Sequence, residues 1–288
     1  MYSLFDKDKI VVIDKTSPFY PTEWLKLTGA PETLYGVGNL QLLQTEKICM
    51  VGSRKTAMNT LKLTAQIAEQ VSKSFTLVTG IADGGDSAVI EGALKGSGKV
   101  ISVLAGGFSA LPKAQLPLLE QVAKKGLVLS ALPYETTVRS FSYDYRNKLL
   151  ARLSKGVVVV SAGETSGTLI TAKYAKKQGI PVFALPYAPN TPSGMGCNAL
   201  IKDGARLIEN ADDILSVFGV ENKEDKKQLA LSAEEEIVLS AIRELSEAHV
   251  TQISESTKLP AFKVKMLCTS LEMKGLIAPI GGNRYAPV

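Results

Sequence analysis

The sequence predicts a doubly wound α/β protein with a mostly parallel sheet, followed by a small helical module. Two observations predict the sheet. From Lys47 to about Ile208, short apolar runs alternate with amphipathic helical runs. Those short runs are apolar at consecutive positions, as in strands covered on both faces. A third observation predicts the module: from Ser232 onward, three helical stretches lead into two short runs joined by Gly281-Gly282-Asn283.

Residues 1–46 are expected as an N-terminal extension packed on the core. Within it, "FYPTEWLKLTGAPETLYGVGNL" reads as a short helix and an extended segment, and "IVVI" is a short apolar run. Asp6 and Asp8 stand where a signal peptide would place basic residues. No run approaches the roughly 18 apolar residues of a membrane span, so a cytosolic protein is expected.

The sheet domain is expected over 47–218. Its strand candidates are "KICMVG" (47–52), "FTLVT" (75–79), "KVISVLA" (99–105), "GLVLS" (126–130), "GVVVVSA" (156–162), "IPVFALP" (180–186) and "ARLIE" (205–209). Helical stretches such as "NTLKLTAQIAEQVSKS" (59–74) and "GTLITAKYAKKQG" (167–179) end near Ser or Gly, which suits a helix stop. In such a sheet, ligands bind where the C-terminal ends of strands lead into helices.

Residues 219–231, "GVENKEDKKQLAL", are polar and mixed in charge and are expected as a linker or an exposed helix. The module then covers 232–288. Ser232 and Glu235 are spaced as a capping box before an apolar stripe. "VTQISESTKL" (250–259) is a second helix, and "PAFKVKMLCTSLEMKG" (260–275) is a third, opened by Pro260 and closed by Gly275. Residues 276–288 read as a hairpin. Three helices and a hairpin are the order of a winged helix.

Charge is uneven along the chain. Residues 1–218 hold 24 Lys/Arg against 18 Asp/Glu, net +6, whereas residues 232–288 hold 6 against 7, net −1. A polyanion is therefore expected on the large domain. Cys49, Cys197 and Cys268 form no CxxC pair, so no disulfide framework or zinc site is predicted. The single histidine, His249, is expected at the surface or a helix end. A Ser–His–Asp or Cys–His catalytic arrangement would depend on it alone.

Four strand-to-helix loops stand out: "VGSRKTA" (51–57), "TGIADGGD" (79–86), "ALPYETTVRSFSYDYRNKLLARL" (131–153) and "GETSGTLITA" (163–172). They supply Gly52, Gly80, Gly84, Gly85 and Gly167 for close backbone approach. Hydroxyls come from Ser53, Ser166, Thr168 and Thr171, and positive charge from Arg54, Arg139, Arg146 and Lys148. Any one such loop is explained by turn geometry and helix capping. Four of them on one rim predict a phosphate-binding surface, with amide and hydroxyl donors and arginine grips. Tyr134, Phe141, Tyr143 and Tyr145 interleave with Arg139 and Arg146. That pattern suits single-stranded nucleic acid, where bases stack and phosphates meet charge, and equally suits aromatics packed beneath a loop.

The rim has no GxxxxGK[ST] and no GxGxxG after the first strand, so neither fingerprint of a nucleoside triphosphatase or dinucleotide enzyme is present. Asp83, Asp86, Asp144 and Glu164 are the acidic candidates for acid–base work. Asp86 is read as the N-cap of the next helix, while Asp144 and Glu164 are read as partners of Arg146 or as caps. No constellation demands catalysis, so a protein without enzymatic activity, cofactor or metal is expected.

At these loops the sequence resembles the DprA/Smf family of DNA-processing proteins. The family's "YP…L…P..L...GN" segment is matched by "YPTEWLKLTGAPETLYGVGNL", and its "VG[ST]R" loop by Val51, Gly52, Ser53 and Arg54. "SGxARGID" is matched by "TGIADGGD", and "RNRIIAGLS" by "RNKLLARLS" (Arg146 to Ser154). "SG[ST]LITA" is matched by "SGTLITA" (166–172), and "GxNxLIxxGA" by "GCNALIKDGA" (196–205). The motifs run in the family's order over about residues 20–215. The resemblance implies an extended Rossmann-like domain that binds single-stranded DNA, protects incoming DNA and helps load RecA recombinase in natural transformation. It also implies homodimerisation and a C-terminal winged helix.

The chain departs from the family at Asp83, where relatives carry arginine, at Ile90, where they carry histidine, and at Lys148 in the "RNR" motif. A carboxylate beside a phosphate costs about 1 kcal/mol in water and about 4 at an effective dielectric of 20. Binding then relies on Arg54, Arg146 and backbone amides, or the anion differs. The expected nucleic-acid-binding residues are Gly52, Ser53, Arg54, Gly80, Gly84, Arg139, Phe141, Arg146, Asn147, Ser166, Gly167 and Thr168. The rival reading is a Rossmann-like nucleotide-binding sensor or nucleoside-phosphate hydrolase, with Asp83 on a ribose hydroxyl. A further option gives the winged helix a protein partner.

Overall fold

A computed structural model describes residues 4–221 and 231–287. The chain divides into two compact units, Met1–Glu221 and Asn222–Val288. Residues 222–230 of the expected linker lie outside the described residues.

The first unit opens with β1 (Val11–Asp14), α1 (Thr22–Leu25) and β2 (Thr33–Gly38). It continues through β3 (Lys47–Gly52), α2 (Met58–Ser74), β4 (Thr76–Thr79), α3 (Gly85–Lys95), β5 (Val100–Val103), α4 (Leu116–Lys125) and β6 (Leu127–Ser130). Then come α5 (Ser140–Arg152), β7 (Gly156–Ser161), α6 (Thr168–Lys177), β8 (Val182–Ala184), α7 (Met195–Lys202), β9 (Arg206–Leu207) and α8 (Asp212–Leu215). The strands form one sheet in the order β1-β2-β6-β5-β4-β3-β7-β8-β9. From β6 to β9 every neighbouring pair is parallel, which is the doubly wound, Rossmann-like arrangement.

Burial explains the consecutive apolar residues. Ile48, Met50, Leu77, Val100, Val128 and Val158 face one side, where they pack with Ile67 and Val71 of α2, Val89 and Ile90 of α3, and Leu119 of α4. Cys49, Val51, Val78, Ile101, Leu129 and Val157 face the other, with Trp24 of α1, Leu149 and Leu150 of α5, and Ala172 of α6. Ile90, at the family's histidine position, is a fully buried core residue. Each such aliphatic side chain contributes about 1.5–3 kcal/mol on burial.

Residues 1–46 do more than pack on the core. β2 pairs antiparallel with β6, and β1 pairs antiparallel with β2, so "IVVI" contributes to the edge strand of the sheet. β1 exposes Val11 and Val12 and buries only Ile13, so its apolar run carries no both-face signature. Trp24 is fully buried and donates from Nε1 to the Leu149 carbonyl at 3.1 Å.

The second unit is a winged helix: α9 (Ala233–Leu245), β10 (Ala248–His249), α10 (Val250–Thr257), α11 (Ala261–Met273), β11 (Ile277–Gly281) and β12 (Arg284–Pro287). The three short strands form a sheet in the order β10-β12-β11. The turn residues Gly281, Gly282 and Asn283 all have positive φ, which two glycines and an asparagine tolerate. Ser232 and Glu235 form the capping box, and His249 caps α10, accepting from the Thr251 N–H.

Glu235 ties this unit together. Its carboxylate accepts from Lys274 Nζ at 2.7 Å, from Ser270 Oγ at 2.7 Å and from the Ser232 N–H at 2.7 Å. The Lys274 bond leads the donors that hold its pKa down, from 4.5 to about 2. A depressed carboxylate pKa adds stability above its unfolded value and loses it as pH falls through the folded one. The winged helix should therefore lose stability between pH 4.5 and about 2. In Glu235→Gln that acid dependence should flatten, read by NMR signals of Leu239 and Ile242 during urea unfolding of the full chain. Equal acid dependence in both chains would refute the assignment.

Candidate nucleic-acid interface

β3 is where the sheet winds both ways. Its neighbours are β4 and β7, and the helices after β3 and β7 pack on opposite faces. The loops leaving β3 and β7 must therefore diverge, which opens a crevice at the C-terminal ends of the strands. The crevice has a volume of about 400 Å³. Its wall from β3 supplies Gly52, Ser53 and Arg54; its wall from β7 supplies Ser166, Gly167 and Thr168; α5 supplies Arg146 and Asn147. Eight of the expected binding residues thus meet in one place.

The β3 wall is fixed by local hydrogen bonds. The Ser53 N–H donates to the Ser161 carbonyl at 3.0 Å and to Ser161 Oγ at 2.9 Å. Thr56 Oγ1 donates to the Ser53 carbonyl at 2.8 Å and lies 2.6 Å from Ser161 Oγ. Arg54 is left exposed, its guanidinium 5.9 Å from the ring centroid of Tyr143. That distance permits a cation–π contact.

The glycines of "TGIADGGD" serve loop packing. A Cβ on Gly85 would come within 2.4 Å of Gly52 Cα, and one on Gly84 within 2.6 Å of the Ser53 carbonyl oxygen. Gly84 also has φ +84°, where L side chains are strained. A Cβ on Gly80 would meet Arg146 Nη1 at 2.0 Å and Asp86 Oδ2 at 2.5 Å. Gly80 and Gly84 therefore support the crevice from beneath and do not line it.

Asp86 is not the helix N-cap that the sequence pointed to. Gly84 holds that position, and Asp86 is the second residue of α3, only 3% exposed. Its Oδ1 accepts from the Gly52 N–H at 3.2 Å and its Oδ2 from the Ala82 N–H at 3.3 Å. Burial pushes its pKa up, and the Arg146 charge pulls it back down. Arg146 is itself 9% exposed; Nε donates to Asn147 Oδ1 at 3.0 Å and Nη1 to the Val103 carbonyl at 3.2 Å. Asn147 Nδ2 donates to the Gly167 carbonyl at 3.1 Å. The two charges and the amide form one buried relay from β3 to the start of α6.

The α6 wall is open. Ser166 Oγ accepts from the Thr168 N–H at 3.3 Å. A Cβ on Gly167 would meet nothing within 4 Å, so no protein atom requires a glycine there. The Thr171 hydroxyl is fully buried, lines the crevice, and has no hydrogen-bond partner among the described residues. An orphan hydroxyl beside a helix N-terminus suits an anionic ligand.

Other expectations fall elsewhere. Arg139 is the exposed residue preceding α5, and Phe141, on its first turn, is 65% exposed; neither lines the crevice. Phe141 and Tyr143 stand in solvent, whereas Tyr134 and Tyr145 pack against the two cores. Asp144 accepts from the Tyr174 hydroxyl at 3.0 Å rather than pairing with Arg146. β6 is separated from β4 by β5, yet its loop reaches the rim by crossing β5: Gly107 N–H donates to the Thr136 carbonyl at 2.8 Å.

That crossing reveals a fifth loop, residues 104–115 after β5, which the sequence reading passed over. It walls a side cavity of about 240 Å³ that shares Arg54, Ala82, Tyr143 and Arg146 with the crevice. Asp83 lies in this side cavity, bonded by Gln115 Nε2, and does not line the crevice. The available signal was the glycine pair Gly106-Gly107 at the end of a strand.

Two family models match the chain: DNA recombination-mediator protein A over residues 11–219 and the DprA winged helix domain over residues 222–283. The DNA processing protein DprA of Streptococcus pneumoniae is 34% identical over 200 residues, 69% of this chain and 71% of that protein. Its solved structure has a TM-score of 0.69 over 74% of this chain and 75% of its own, at 32% identity. The DprA of Bacillus subtilis is 35% identical over 209 residues, 71% of this chain and 69% of that protein. A solved Helicobacter pylori structure, described for the single-stranded DNA binding mode of its DNA processing protein A, covers 73% of this chain and 95% of its own. Its TM-score is 0.66 at 27% identity.

Asp86 and Arg146 attract without a direct hydrogen bond, so removing the carboxylate mainly strands the Gly52 and Ala82 N–H groups, at a cost of about 1–3 kcal/mol. Asp86→Ala should lower the stability of the first unit by that amount, measured by denaturant unfolding of the full chain. A loss below about 1 kcal/mol would mean that the couple does not hold the rim.

Proposed function

The chain belongs to the DprA/Smf family of DNA-processing recombination mediators, and from that premise we propose that it binds single-stranded DNA in the crevice between β3 and β7. One observation carries the reading. The exposed Arg54, the open first turn of α6 and the unpartnered Thr171 hydroxyl converge on one unfilled space. Phosphate oxygens satisfy all three at once. Arg54 grips one bidentately, the positive end of α6 faces another, and Thr171 donates.

Arg146 has a different part from Arg54. It lies at the floor and its charge neutralises Asp86, so it adds shape and one donor edge rather than a free cation. Phe141 and Tyr143 offer faces on which bases stack, which is tolerant of sequence. The protein acts in this reading by holding the strand, without catalysis, in the cytosol, as a homodimer that hands DNA to RecA recombinase. Among the described residues no helix is long and apolar enough to cross a membrane.

The side cavity supports a second reading, a nucleotide-binding sensor, because Asp83 and Gln115 can both bond a ribose or a base edge. Calorimetry with free nucleotides against oligo-dT separates the two: competition by nucleotides at micromolar concentration favours the sensor.

Two substitutions test the crevice. Arg54→Ala should reduce the slope of log affinity for oligo-dT against log salt by about 0.7, the value for one phosphate contact on a single strand. Gly167→Val should weaken binding roughly 10- to 100-fold by keeping a charged group away from the first turn of α6 and from Thr171, while changing stability by no more than about 1 kcal/mol. Unchanged affinity and slope in both would remove the crevice from the interface.

A further inference from the structure

We propose that the groove between α1, α5 and α6 is a second phosphate contact, which receives the backbone of the same DNA strand as it leaves the crevice. The inference rests on the reading of the crevice given above and extends it to a surface outside that site.

The charge of the first unit is concentrated here. Residues 139–178 hold eight Lys/Arg and two Asp/Glu, net +6. That equals the whole excess of residues 1–218. Four of those cations are bound elsewhere or lie apart: Lys155 pairs with Glu46, Lys176 pairs with Asp203, Arg146 is buried, and Arg139 stands at the start of α5. The rest lie along two neighbouring helices, Lys148 and Arg152 one turn apart on α5, and Lys173 and Lys177 one turn apart on α6.

These helices frame an open groove of about 340 Å³, lined by Lys26, Lys148, Arg152 and Lys177 with Tyr174 at its side. None of its lining residues is acidic. Lys148 Nζ donates to the Thr28 carbonyl at 2.9 Å, and Arg152 Nε to the Glu23 carbonyl at 2.9 Å. Those bonds fix both side chains and leave further N–H donors on each. The side chains of Lys26 and Lys177 have no hydrogen-bond or ion-pair partner among the described residues and are exposed. Four like charges held together without a counter-ion repel one another, and a passing phosphate chain relieves that repulsion.

The groove also lies on a continuous path. Asn147 and Thr171 line the crevice. On α5 the next residue is Lys148, and Arg152 follows; on α6 Tyr174 and Lys177 follow. At 1.5 Å per residue, Arg152 is about 7.5 Å beyond Asn147 and Lys177 about 9 Å beyond Thr171. Asp144 stands at the junction as the one carboxylate on either helix, and the Tyr174 hydroxyl donates to it. A basic track joined to stacking aromatics is the arrangement that follows a single-stranded backbone.

The test uses the full chain carrying Lys26→Gln with Lys177→Gln, since neither side chain supports the fold. Binding is measured over a salt series with oligo-dT of about 5 and about 30 nucleotides, lengths that bracket the usual single-strand site. The long oligomer should lose about 1.4 from its salt slope, two contacts at about 0.7 each, and roughly tenfold in affinity at low salt. The short oligomer should bind the variant and the unaltered chain alike. Lys26→Arg with Lys177→Arg should restore the long-oligomer slope. An unchanged slope for the long oligomer overturns the proposal. So does an equal loss for both lengths, which marks a general field rather than a contact. Failure of the crevice reading shows itself separately, as an Arg54→Ala chain that binds the short oligomer like the unaltered one.

Discussion

The rim is organised around a carboxylate shut off from solvent. Asp86 is buried beneath the loops, and an isolated carboxylate there would cost several kcal/mol. Everything around it reduces that cost. The Gly52 N–H at the end of β3 and the Ala82 N–H of the next loop donate to it, and Arg146 supplies the opposite charge from α5. Because Arg146 also donates to the Val103 carbonyl at the end of β5, one charge couple joins the ends of three strands to a helix. Gly80 has to be glycine, because a Cβ there would occupy the space of both charged groups.

This constraint decides what the crevice can offer a ligand. The arginine that looks best placed to grip a phosphate faces a buried acid, so the rim's exposed charges are Arg54 and its neighbour Lys55. The neutralised floor is useful in another way. An unpaired Asp86 would repel a phosphate through a low-dielectric wall, where charges are weakly screened. With Arg146 beside it, the positive end of α6 meets no uncompensated negative charge from below. Asp83 raises no such difficulty, since it opens onto the side cavity and is held there by Gln115.

Much of the fold could be read from the sequence because burial on both faces leaves a strong mark. "VVVV" at 157–160 is fully buried along its length, and a solvent-facing strand would have alternated. The capping box at Ser232 and Glu235 was visible for a similar reason, as its chemistry needs two residue types at one spacing. What stayed hidden was long-range. β1 buries one residue of four, so its pattern is that of an ordinary edge or loop. Asp86 carries the residue type of an N-cap, and only the approach of Arg146, sixty residues later, gives it another role. The loop at 104–115 joined the rim because β6 lies beyond β5, a fact of strand order that no local pattern records.

The two units divide the electrostatic work. α5 and α6 carry most of the net positive charge of the first unit, and Arg54 on the loop after β3 adds a free cation at the rim. The winged helix carries net charge −1. The exposed face of α11, the helix placed to enter a groove in proteins of this shape, shows Phe262, Met266 and Met273. Of the lysines near it, Lys263 pairs with Glu234 and Lys274 with Glu235, leaving Lys265 and, just before the helix, Lys258 exposed. A surface with so few free cations releases few counter-ions from a duplex. The free positive charge therefore lies mainly on the sheet unit, and α11 of the winged helix shows an apolar face.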